Sequence, residues 1–225
     1  MLLFSLANLD FLGALAFIVA YVSAILIAMS FHEAAHAFVA FRQGDVTPKA
    51  MKRLNLMPFS HIDYVGFACL LIFGFGWAKP VPVDFRNLKH GKVSEFAVSI
   101  AGIVTNIILA LIFSFIYVLL HVVFAEILYS GNWYSVALTM FLNYSIVINL
   151  SLAFFNILPI YPLDGFRVVE SFAGKNNAYS NFMRKYSNFV ILICLITGLF
   201  SLYISYTAIN VADLFILMWS KILGI

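Results

Sequence analysis

Three residues in the stretch MSFHEAAHAFVAF, residues 29–41, have the types and spacing that metal-assisted hydrolysis uses. His32 and His36 are four apart, so on a helix they share a face. They can offer two imidazole nitrogens to one Zn2+ at about 2.0–2.1 Å. Glu33 follows the first histidine directly and can reach a water at the metal. It would act as general base and then hand the proton to a leaving amine. A catalytic zinc also needs a third protein ligand and an open fourth position. The plain alternative is two histidines that only hydrogen-bond within a helix bundle. The H-E-x-x-H pattern is specific enough to favour the metal.

The element that must carry these residues is unusual for a hydrolase. The lead-in FLGALAFIVAYVSAILIAMS, residues 11–30, has no charge. Of the 225 residues, 64% are hydrophobic and only 10% charged, against about 25% charged in a soluble domain. A soluble protein needs a polar surface, whereas a polytopic membrane protein is solvated by lipid. The composition therefore implies a membrane protein and excludes an ordinary soluble enzyme. The first Lys or Arg is Arg42, so there is no basic n-region and a cleaved signal peptide is not expected. Cys69 and Cys194 lie in apolar runs, and their spacing implies neither a disulfide framework nor a metal knuckle.

A spanning helix takes about 20 apolar residues. Apolar runs cover residues 11–41, 96–124, 136–158 and 187–222. The last is long enough for one span plus an interfacial helix, or for two short spans. A further run, YVGFACLLIFGFGWA at 64–78, is short and interrupted by three glycines. The basic loops 42–53 and 79–92 flank it and should share a membrane face. Residues 60–80 are therefore expected to be re-entrant or a hairpin. The expected fold is an all-α polytopic membrane protein with about 5–6 transmembrane helices. It is read as one domain over 1–225, with a catalytic core at about 10–170 and C-terminal helices at about 187–222. The loop EILYSGNWYS, 126–135, has no Lys or Arg and should lie outside. The charge map puts the N-terminus outside and brings residues 32–36 and 164 to the same inner depth.

The candidate third ligand is Asp164 in NILPIYPLDG, residues 156–165. Pro159 and Pro162 stop the preceding helix there, and Gly165 permits a turn. Broken backbone at membrane depth is tolerated where it is buried or lines a wet cavity. The plainer alternative is that Asp164 caps the next helix.

These residues resemble a known family. HEAAH in a first span and NILPIYPLDG in a later one look like the site-2 protease family of intramembrane zinc metalloproteases. HIDYVG at 61–66, GWAKPVPV at 76–83 and AGIVTN at 101–106 support the likeness. It runs from about residue 10 to 170. Two positions depart from the pattern: Ile103 and Tyr64 stand where relatives often have proline. The chain resembles short members without PDZ or CBS modules. The resemblance implies one Zn2+ per chain held by His32, His36 and Asp164, with Glu33 as catalytic base. It implies hydrolysis of peptide bonds in single-span membrane proteins or signal-peptide remnants, in or next to the bilayer.

Secondary candidates are Asn156, which could steady the substrate backbone or a developing oxyanion, and His61, which could face the site or bind a further metal. Either residue has a plainer role, Asn156 in satisfying carbonyls freed by the break and His61 as a loop residue. Asn106 and Asn149 read as interhelical hydrogen bonders. The run 64–78 could pair with an extended substrate as an edge strand. The lipid bilayer is the expected partner and nucleic acid is not. The expected location is a bacterial cytoplasmic membrane with the site toward the cytoplasm. A divalent-metal transporter would spread acidic residues and histidines along a path, and an inactive relative would lack a ligand or the glutamate.

Overall fold

The computed structural model describes residues 10–73 and 76–224. Seven longer helices organise it: α1 (Phe11–Arg42), α2 (Tyr64–Phe73), α3 (Lys92–Val123), α4 (Trp133–Asn156), α5 (Asp164–Ala173), α6 (Ala178–Ile196) and α7 (Leu199–Ile222). Four of them, α1, α3, α4 and α7, are long and apolar enough to cross a membrane. No strand is present among the described residues, which agrees with the all-α expectation.

α1 begins where the Asp10 side chain accepts a hydrogen bond from the Gly13 amide at 2.9 Å. With no proline and no charge before Glu33, nothing interrupts it. Ala16, Ala20, Ala24 and Ala28 recur every fourth residue and are almost fully buried. That stripe of small side chains lets neighbouring backbones approach closely, the packing that works in lipid. α1 packs on α4 and α3, and Phe17 and Tyr21 meet Tyr144 of α4 edge-on at 5.5 and 5.4 Å. On the other side of the bundle, Ala110 of α3, Ile146 and Leu150 of α4, and Ala208 and Ala212 of α7 form a buried cluster. The Trp219 indole N–H of α7 donates to the Leu111 carbonyl and the Ser114 hydroxyl of α3.

The polarity is inverted relative to a soluble protein. Ile18, Phe38, Ile108, Leu202 and Leu214 are exposed, while Ser30, Ser99, Asn106, Ser114 and Asn149 are buried. The buried hydroxyls find backbone acceptors inside their own helices, Ser30 on Leu26 and Ser99 on Glu95. An outer surface of this kind suits hydrocarbon, where every interior polar group must be satisfied within the protein.

Residues 60–80 contain α2 and an antiparallel bridge between Ile62 and Ala78. The chain thus folds back on itself. The run 64–78 is not an edge strand over 64–73, because α2 satisfies its backbone internally. The long apolar tail is two helices broken at Thr197 and Gly198, where Gly198 has φ +72°. Of these two, α7 is long and apolar enough to cross a membrane, whereas the 19-residue α6 is less apolar. The C-cap loop of α1 is tied to a later segment through Asp45. Its buried carboxylate accepts from the Thr47 amide and hydroxyl, the Asp84 amide and the Asn87 side chain. Burial pushes the Asp45 carboxyl pKa up, but these hydrogen bonds outweigh it and hold the group below its usual range.

Candidate zinc site

His32 and His36 project from one face of α1 toward α3 and are both buried. Each ring has its Nδ1 engaged. His32 Nδ1–H donates to Asn106 Oδ1 at 2.5 Å. The Asn106 amide donates in turn to Asn149 Oδ1 and the Ala28 carbonyl, so its oxygen is the group left for His32. His36 Nδ1–H donates to the Val98 carbonyl, which can only accept, at 2.7 Å. Both tautomers follow, and both Nε2 atoms carry lone pairs.

Those two Nε2 atoms lie 3.2 Å apart. Asp164 Oδ2 is 3.1 Å from each. Three polar atoms thus converge on one point. Such a cluster repels itself unless a metal ion or a shared proton sits among them. Tetrahedral zinc with bonds of about 2.0–2.1 Å sets its ligands about 3.3 Å apart, and two imidazoles with one carboxylate are a zinc donor set. The residues present therefore fit zinc, and His32, His36 and Asp164 could hold it.

The histidines reach this geometry because α3 offers no side chain at Gly102. A Cβ there would collide with His32, lying 2.6 Å from its Nδ1 and 2.5 Å from His36 Nε2. Gly102 and Asn106 are one turn apart on α3, so one face of that helix both makes room for the rings and orients them. In the sequence, AGIVTN supports the resemblance and Asn106 reads as an interhelical hydrogen bonder, as its bond to Asn149 of α4 shows it to be. The signal was the pairing of a small residue with an amide four positions on.

Asp164 arrives from the opposite direction. α4 ends at Asn156 and the chain turns through 157–163 before α5 starts. The N-cap of α5 is Leu163, which makes no side-chain cap bond. Asp164 is the first residue of the helix and points at the histidines, so the capping alternative does not hold. Gly165 is required by the break: a Cβ would lie 2.5 Å from the Ile157 carbonyl carbon and 2.6 Å from the Leu158 oxygen.

Glu33 is 8% exposed and accepts a hydrogen bond on Oε2 from the Val81 amide at 2.9 Å. It lines a cavity of about 530 Å3 with His32, His36 and Asp164. Most of residues 76–83, including Pro80, Val81 and Val83, line it as well, together with the α4 end and the break. Asn156 lines it too, although its amide nitrogen donates to Leu152 of its own helix at 3.0 Å. His61 lies elsewhere. It is fully buried, its Nε2 is 2.8 Å from the Asn55 carbonyl, and it does not line this cavity. The structure therefore brings together His32, Glu33, His36, Asp164 and Asn156, but not His61.

Comparison with known proteins agrees with the site. The model of peptidase family M50 matches residues 20–198. A protein of Bacillus subtilis (strain 168) named "Putative zinc metalloprotease YwhC" is 38% identical over 187 residues, covering 83% of this chain and 84% of that protein. No solved structure matches significantly. A family match across most of the chain, with a converging zinc donor set inside it, places this chain in peptidase family M50, the site-2 proteases, as a zinc metalloprotease.

Proposed function

We propose that this zinc metalloprotease cuts peptide bonds of membrane-anchored, single-span proteins or signal-peptide remnants, in or next to the bilayer. The observation that carries the reading is the juxtaposition of Glu33 with the cluster of His32, His36 and Asp164 in one cavity between membrane-length helices. Glu33 Oε2 is held by the Val81 amide, which leaves Oε1 for a water. Glu33 takes the proton from that water and delivers it to the leaving amine. His32, His36 and Asp164 would hold zinc, which would supply polarisation of the scissile carbonyl and acidify a water. Asn156 has its amide oxygen free of any partner given by the described residues and lines the same cavity, so it is placed to orient an extended substrate backbone.

The basic residues Arg42, Lys49, Lys52 and Arg53 follow the α1 end nearest the site. By the positive-inside rule this supports a site facing the cytoplasm of a bacterial cell. Arg42 is six residues beyond His36, or about 9 Å of helix, which is a short path for water. We read α2 and the Ile62–Ala78 bridge as the re-entrant hairpin, and α6 as a fifth membrane helix beside the four long ones. Glu33→Gln tests the assignment: zinc content should stay at one per chain while cleavage of a co-expressed single-span substrate falls at least about 100-fold. Cleavage at the normal rate by this variant would overturn it.

A further inference from the structure

The segment Lys79–Asp84, KPVPVD, crosses beside Glu33 with every bonded donor committed to a different part of the protein. The Lys79 amide donates to the His61 carbonyl at 3.0 Å. The Val81 amide donates to Glu33 Oε2 at 2.9 Å. The Asp84 amide donates to Asp45 Oδ2 at 2.8 Å. The Lys79 carbonyl accepts from Arg53 Nη2 at 2.5 Å. Pro80 and Pro82 have no N–H, so across residues 80–82 the only donor is Val81. Their fixed φ also stiffens the segment. The result is one amide, presented by a strap pinned on both sides, aimed at one oxygen of the carboxylate.

We propose that residues 79–84 are a positioning strap for Glu33, in which the Val81 N–H fixes the carboxylate and buried Arg53 fixes Val81 by holding the Lys79 carbonyl. This rests on the reading of Glu33 as general base. A carboxylate on a free side chain samples several rotamers, and only some of them bring an oxygen to the water. A charge-assisted bond from a rigid amide selects one of them and divides the labour between the two oxygens. Arg53 serves the same end from behind. It is 8% exposed, and its Nε makes no hydrogen bond among the described residues, so the guanidinium is committed here largely to Lys79. Val81 lines the cavity but acts here through Glu33, and Arg53 acts through the Lys79 carbonyl, so both are positioning residues.

The test removes one N–H. Val81 is replaced, by nonsense suppression, with its α-hydroxy analogue, which exchanges the amide for an ester and keeps the side chain. Val81→Ala keeps the amide and serves as control. Val81→Pro and Arg53→Gln are independent variants should the ester chain accumulate poorly. Zinc-loaded full-length protein is assayed for kcat, KM, zinc content and melting temperature. Loss of a hydrogen bond to a charged group predicts a fall in kcat of about 10- to 100-fold. KM and zinc content stay within about twofold, and Val81→Ala, which keeps the amide but trims a cavity-lining side chain, loses less kcat than the ester. Arg53→Gln follows the ester in direction, with a smaller loss. An ester variant with wild-type kcat, a fall shared equally by Val81→Ala, or a fall explained by lost zinc would overturn the proposal. A rise in kcat would also overturn it, since the contact would then be an inhibitory latch. If Glu33→Gln is inactive while the ester variant is fully active, only the strap role fails. If Glu33→Gln is itself active, the general-base reading fails.

Discussion

The two sides of the zinc cluster are built differently. His32 and His36 stand in the middle of the bundle, on a 32-residue helix, each ring held from behind by a hydrogen bond to α3. Asp164 stands at the start of a 10-residue helix after the helix break, and among the described residues the polar partners of its carboxylate are the two histidines. What holds the aspartate arm acts at a distance. Phe166 is buried against Tyr161 and Tyr179, and Glu170 accepts a forked pair of bonds from Arg184 of α6 at 2.7 and 3.0 Å. The bundle thus fixes where two nitrogens sit, and α5 brings the charge that completes the site. Histidine orientation needs a partner at each Nδ1, because the ring has two distinct nitrogens. A carboxylate needs only a fixed helix behind it, since either of its oxygens serves as ligand.

Substitutions can break or sharpen this contrast. The largest effect belongs to Asp164→Asn, which removes both a ligand and the only negative charge in the cluster. Zinc affinity measured by chelator competition should fall by more than the roughly 10- to 100-fold typical of residues behind the ligands. Next comes Gly102→Ala. Its Cβ would press on both imidazoles, so overpacking of about 1–3 kcal/mol should appear as a lower melting temperature together with lost zinc. Asn106→Leu leaves space unchanged but removes the His32 partner, and zinc affinity should drop about 10- to 100-fold with the fold retained. Arg184→Met should have the smallest effect at the metal. It leaves the Glu170 carboxylate buried and unpaired, which costs about 1–3 kcal/mol of stability, while zinc affinity changes less than about tenfold. If Arg184→Met weakened zinc as much as Asn106→Leu, the aspartate arm would be as tightly coupled as the histidine face.

The strap shows the same separation of tasks for the base. Glu33 sits on α1 beside the histidines, yet its contact comes from a loop 48 residues later. Nothing in HEAAH predicts which amide that is. In the sequence, GWAKPVPV only supports the resemblance, and nothing there shows that its valine amide meets Glu33.

The sequence by itself determined the helix face shared by His32 and His36, the neighbouring glutamate, the membrane setting and the helical fold. Each depends on spacing or composition within one segment, so local physics is enough. For Asp164, the residues alone left ligand and cap open, and the resemblance tipped the choice. Only the tertiary structure set the carboxylate 3.1 Å from both nitrogens. The same is true of Gly102, Asn106, Val98, Val81 and the removal of His61 from the site. A glycine matters through what its missing side chain would strike, and an amide through where a distant segment is pinned. Neither is a property of a residue's own neighbours in the chain, so both appear only when α1, α3 and the strap are packed together.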